Sequence, residues 1–591
     1  LLTAAFSIFV LAASGRAANW ISPTGGFWQT SANWDHIPDS TQICRVTNAA
    51  SKTVIIDATT VATSPTTMTI QKLELWAPTD TATTNTLAIT NAGTATPLTV
   101  ATSVVVSNGG LLRLTNSVVQ ITPATGTDFT IHGGGVILDS GSLLANSVTC
   151  FVGHVSSGTL TVNGGQFQAG ALRVGDLAGS HGTLTIAGGT VNAAVLLRLG
   201  NDLGATGTVW VTSGQLMLTN LNSTRIGDSG VGQMTVSNGT LQAGEIRVGN
   251  GDATTFPAAV GTLTIAGGTA NISSNLTAGR FTNSVGAIWM NGGTLTVTNA
   301  VNKIIVGADG TGSMTLSNGT ILTTGIIVGR ANSALGTFTM AGGNLTVDAP
   351  GSVAALDVCR GTFAFSNGVV SADNLVITNV AGRFAFAQGT FDSVGTAVTN
   401  GQRFTIGNGL SVATFHLLGG VHSFANNLYV RTNATLSGCG TVTGNVLVEG
   451  TVLADCGGIL TFTGSVTNNS LLRAANGSVI EAFGPVINNG VIDLLGGTTN
   501  FHSTFINNGV VLTSNSIPLI VSMVASGGSV RVNFTTSLAA SYAVDYKPDL
   551  ATNTWSILTN VTGSGGVMAV TDPGATAQSK RFYRARLIVP P

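Results

Sequence analysis

The chain has 591 residues, 43% of them apolar and 8% charged, a composition that builds a large core and excludes disorder. Lys and Arg (23) balance Asp and Glu (24), so the basic excess of a nucleic-acid binder is missing. The 78 glycines, set among Thr, Ser and Asn, favour turns and strands over helices.

The first predicted element is an export signal. Leu1 to Ala13 form an apolar run too short to span a bilayer, and the small residues after it suit cleavage behind Ala17 or Ala18. Residues 1–17 therefore read as a truncated signal peptide. No later uninterrupted apolar stretch reaches about 18 residues, so no membrane span is expected. Residues 18–51 read as an N-terminal cap that gathers Trp20, Trp28 and Trp34. Three indoles can also make a sugar platform, but packing of a small core is the reading adopted.

The string GTLTIAGGT then occurs at 182–190 and again at 261–269. Similar blocks open at Gly158, Gly182, Gly207, Gly232, Gly261, Gly286, Gly312, Gly336, Gly361 and Gly382, a period near 25. Within a block the alternation is two: Leu184 and Ile186 point one way, Thr183 and Thr185 the other. A glycine pair turns the chain, and a second strand ends in pairs such as Val174-Gly175 and Leu199-Gly200. One block cannot bury a face alone, whereas stacked blocks can. The expected fold is all-β: a parallel, right-handed β-helix or solenoid of ~25-residue coils over 52–516, on the order of 18 coils. Looser copies of the same grammar flank the regular blocks, with Asn-Asn-Gly corners at 488–490 and 507–509.

After Pro518 the grammar changes. SVRVNFTTS, SYAVDYK, TWSILTNV, GVMAVTD and KRFYRARL read as part of five or six antiparallel strands, so 517–591 is expected to be a small immunoglobulin-like β-sandwich. Its last strand carries Lys580, Arg581, Arg584 and Arg586, read as a solvated edge guarded by charge.

The blocks from Gly158 to Gly382 resemble the repeats of bacterial autotransporter passengers and PEP-CTERM-associated surface proteins. GGFWQTSANWDHIP followed by KTVIID looks like the start of such exported solenoids. LSGCGTVTGNVLVEGTVLADCGG resembles an autotransporter-passenger coil, with Asp455-Cys456 at the corner where Pro-Gly is common. The closing YAVDYKPDL and RFYRARL segments are similar to C-terminal modules of secreted bacterial proteins. The resemblance implies an exported surface protein, and its motifs are structural.

Chemistry is sparse. A polysaccharide-cleaving β-helix needs clustered carboxylates or a calcium site beside a basic residue. The regular coils carry about one acid each, and Asp176, Asp202, Asp228 and Asp309 read as a loop row behind the glycine corner. Arg173, Arg198, Arg225 and Arg247 precede that corner in four successive coils. They form either a ladder neutralised by Asp176, Asp202, Asp228 and Asp252 or a stripe that grips an anionic polysaccharide. His416 and His422 flank a glycine corner without a nearby acid or Cys, so no metal site and no cofactor are expected. Cys439 and Cys456 can meet if neighbouring turns carry them. The function expected is a secreted, non-catalytic surface or matrix scaffold, adhesive toward polysaccharide; the alternative is a pectin-lyase-like enzyme.

Overall fold

The computed structural model describes residues 16–78, 83–122, 126, 128–218, 223–251, 259–299, 301, 303–349, 354–577 and 579–589. The apolar run expected as a signal peptide lies outside them, as does Asp252. The chain divides into two compact units, Leu1–Ser352 with Arg360–Phe363, and Val353–Cys359 with Ala364–Pro591. The solenoid is all parallel β, with about 19 turns in coils of about 24 residues.

In the first unit each regular coil has an opening, a middle and a closing strand. Thr206–Val211, Gln215–Leu218 and Thr224–Ile226 make one coil, and Val231–Val236, Thr240–Ala243 and Ile246–Val248 the next. Each strand pairs in parallel with its counterpart one coil on. The two identical nine-residue strings lie three coils apart on one ladder, linked through Gly207 and Gly232. Leu184 and Ile186 are buried while Thr183 and Thr185 face outward, as the alternation predicts.

The leading glycine of the block has a physical cause. A Cβ on Gly182 would overlap the Val152 carbonyl oxygen and the Gly175 nitrogen. Gly175, which ends a closing strand, is held at φ 68°, where a side chain is strained. Backbone therefore packs directly on backbone at this corner, and both glycine columns recur because both sides of the contact need them.

At the N-terminal end Ala17–Asn19 and Ile43–Val46 already pair in parallel, so the expected cap is itself a coil. Cleavage behind Ala17 or Ala18 would remove the first one or two residues of that strand. Trp20, Trp28 and Trp34 plug this coil: all are buried, and Trp34 meets the others edge-on at 5.2 and 4.8 Å. Among the described residues the one α-helix is Ala58–Thr63, started by a reciprocal cap between Asp57 and Thr60. The β-dominated reading of the sequence did not mark it. No helix of the described residues is long and apolar enough to cross a membrane.

In the second unit the interior turns aromatic: Phe365 stacks on Phe386 at 4.8 Å, and Phe391 meets Phe415 at 5.1 Å. Cys439 and Cys456 form a disulfide across successive turns. The last parallel rung is Val510–Leu512. Six antiparallel strands follow in two three-stranded sheets, the upper of the two counts expected, with Ile520–Ser526 as the strand that the sequence did not locate. Their core of Phe534, Tyr542, Val544 and Val570 includes Leu512 and packs on Val491 and Val510. The module thus covers the open edge of the final coil. The three arginines at its C-terminal end are engaged: Arg584 and Arg586 both bind buried Asp545 at 2.9 Å, and Arg581 binds Asp572 at 2.9 Å.

Candidate functional site

The closing strands bring the four arginines together in one row. Arg173 pairs in register with Arg198, Arg198 with Arg225, and Arg225 with Arg247. Strand alternation sets this, since Leu172 and Val174 point inward and leave Arg173 outside. Guanidinium groups ~4.8 Å apart would repel by about 3 kcal/mol per neighbour at an effective dielectric of ~20. Carboxylates must lie among them.

They do. Arg173 Nη1 lies 3.2 Å from Asp176, which also bonds His154 Nδ1 at 2.8 Å. Asp228 receives Arg198 at 3.3 Å and Arg225 at 3.1 Å. Arg247 forms a two-pronged contact with Glu245 at 2.9 and 3.0 Å. Glu245 was missing from the sequence reading, although its place two residues before Arg247 puts both on the same face of the strand. Further on, Asp309 joins Arg280 at 3.0 Å and Arg330 at 3.1 Å.

Directly behind the glycine corner runs a second, buried row: Asp176, Asn201, Asp228 and Asn250. Acid and amide alternate, so like charges stand two coils apart, and Asn250 Nδ2 donates to Asp228 at 2.9 Å. Asp202 sits one residue off this row and accepts from Asn201 at 2.7 Å. Burial first, then the Asp176 and Asp228 carboxylates, raise its carboxyl above the ordinary range, with Arg173 opposing. Arg198 is pressed downward by burial, which Asp228 resists.

Other sequence candidates separate. His422 is buried and bonds Thr396 at 3.0 Å and the Gly419 carbonyl at 2.8 Å, while His416 faces Asp392 at 3.3 Å. Among the described residues no three His, Cys, Asp or Glu side chains converge on a point that could hold a metal ion. A cleft of about 110 Å³ in the second unit, lined by Phe384, Arg383, Arg403 and Asn400, is small beside the ~300 Å³ of ordinary ligand pockets.

The opening-strand face of the first unit differs in kind. Its outward row reads Thr161, Thr185, Trp210, Thr235, Thr264, Trp289, Thr315 and Thr339 in unbroken register. The sequence reading passed over both tryptophans. The signal was there: GTVWV and GAIWM carry Trp where six of the other eight aligned blocks carry Thr and two carry Ala. No protein-family model, curated protein or solved structure matches the chain.

Proposed function

We propose that the chain is an exported, non-catalytic scaffold of the bacterial cell surface or extracellular matrix, adhesive toward polysaccharide. The observation that supports this best is how the solenoid uses its acids. Asp139, Asp176, Asp228, Glu245, Asp309 and Asp493 are each tied to an arginine of their own or a neighbouring coil. A glycosidase instead needs two carboxylates facing each other across bound sugar. The disulfide at Cys439–Cys456 favours an oxidising, extracytoplasmic setting. On this reading the winding is right-handed, the terminal sheets form an immunoglobulin-like sandwich, and the kinship is with autotransporter-type and PEP-CTERM-associated solenoids.

One observation favours the enzyme alternative. Asp202 is a carboxyl raised by burial beside other acids and arginines, the condition of a general acid. The test is to incubate the full chain with neutral and anionic polysaccharides at low and high salt, measuring retention and newly formed chain ends together. Retention without cleavage is expected. Cleavage that disappears in Asp202→Asn would establish an enzyme. The double change Arg198→Gln, Arg225→Gln should leave retention unchanged, because both guanidinium groups are already held by Asp228; loss of salt-sensitive binding to anionic polymers would make the row a binding stripe.

A further inference from the structure

The geometry points to the opening-strand face of the first unit as the binding site, and to an uncharged polysaccharide laid along the stacked strands as its ligand; this rests on the adhesive reading above. Trp210 and Trp289 are 42% and 43% exposed, whereas Trp20, Trp28 and Trp34 are buried. Within the described residues neither outward indole makes a ring contact or donates its N–H. Both ring faces are therefore open to a ligand, and it is their recurrence in one row, rather than exposure alone, that marks a contact surface.

Position says what it contacts. Both indoles occupy the same outward row, three coils apart, which is about 14 Å at ~4.8 Å per coil. Between them stand Thr235 and Thr264, which offer hydroxyls at the strand spacing. A pyranose ring presents C–H bonds on its faces and hydroxyls at its edge. The negative face of an indole attracts the first, and a threonine row can bond the second. A protein partner would want a contiguous apolar core, and the intervening threonines interrupt it. Charge decides the rest. The opening strands carry three outward rows, and the two from Thr159 to Thr339 hold Thr, Ser, Gln, Ala and Trp. The third, two rows from the indoles, runs His181, Thr206, Val231, Val260, Val285, Thr311 and Leu335. His181 is thus the one ionisable residue among them, and no Asp, Glu, Lys or Arg is present. Nothing there selects for an anionic polymer or makes binding sensitive to salt.

The test uses the full chain with insoluble cellulose, chitin and β-1,3-glucan as probes, at low and high salt. Salt-independent retention on at least one is expected. Trp210→Ala and Trp289→Ala should each weaken it about tenfold. The double variant should lose about a hundredfold, since positions this far apart act additively. Trp210→Phe should retain most of the binding. Circular dichroism and thermal midpoints verify that the outward substitutions leave the fold intact. If the folded double variant is retained like the parent, this face is not the site, although the adhesive reading survives. Retention of the parent on none of the probes overturns this proposal, and absence from anionic polymers as well overturns the adhesive reading itself.

Discussion

The regular coils of the first unit and the last coils of the second solve the same problem with different chemistry. Both must turn the chain at fixed intervals and satisfy every buried polar group at the corner. The first unit does so with glycine against glycine, a polar loop, and alternating Asp and Asn backed by the arginine row. The final coils shorten to steps of 20, 20 and 19 residues, as the ladder through Val446, Val466, Val486 and Phe505 shows. They turn through stacked Asn-Asn pairs instead, followed by Ser470, Gly490 and Gly509. Asn468 Nδ2 donates to Asn488 Oδ1 at 2.8 Å, and Asn488 Nδ2 to Asn507 Oδ1 at 2.7 Å. A parallel outer ladder joins Asn508, Asn489 and Asn469 at 2.9 Å per step. The amide is donor and acceptor at once, so identical residues can stack without a counter-charge. Arginine cannot do this, which is why its row needs carboxylates and a longer loop to carry them.

The largest expected effect breaks the first solution. A Cβ at Gly207 would collide with the Val174 carbonyl and with Gly200, both backbone in a packed stack. Gly207→Ala should cost about 3–5 kcal/mol locally, read as lost hydrogen-exchange protection through Thr206–Val211 and its paired strands. Gly204→Ala supplies the comparison. That glycine has φ 80° but nothing closer than 3.8 Å to an added Cβ, so only backbone strain of about 1 kcal/mol applies. Equal effects at the two sites would mean that conformation, not close approach, fixes the repeat.

The second solution is probed in the amide ladder. Asn488 is buried and bonds on both sides, so Asn488→Ala strips a partner from Asn468 and from the Val510 carbonyl. About 2 kcal/mol should be lost. Asn489→Ala, on the exposed ladder beside it, should stay within about 0.5 kcal/mol. Urea titration followed by limited proteolysis of the final coils would separate the two.

The contrast also explains what could be read without coordinates. Period-2 alternation and recurring glycines are local, so the solenoid, its inward Leu184 and Ile186, and the three-coil spacing of the repeated string were legible. The in-register arginine row followed from the same arithmetic. Two of its counter-charges, Asp176 and Asp228, were legible too; Glu245 was not, because it is adjacent in strand geometry rather than in the repeat. Helix Ala58–Thr63 was hidden because six residues carry no periodic signal. A sixth strand was expected but Ile520–Ser526 was not located, because every residue after Ile520 is exposed and gives no alternation to read. Trp210 and Trp289 were hidden for a subtler reason, since a search for what repeats discards what departs from the repeat.

The smallest effect concerns the one acid that the first solution leaves poorly placed. Asp202 lies off the alternating row, near Asp176 and Asp228, and its carboxyl is raised by burial and by those neighbours. A raised acid binds its proton more tightly in the folded than in the unfolded chain, so its ionisation opposes folding. Stability is therefore full below the ordinary carboxylate range near pH 4 and falls as pH rises through the raised value. Asp202→Asn should stabilise the first unit at pH 7 by a few tenths of a kcal/mol, solvent screening keeping the figure small. The advantage should vanish on acidification below the ordinary range, where both side chains are neutral. Thermal midpoints of parent and variant across pH 3 to 8 give the answer. A variant less stable at pH 7 would mean that Asp202 neutralises the arginine row after all, which would make the row a four-acid ladder rather than a three-acid one.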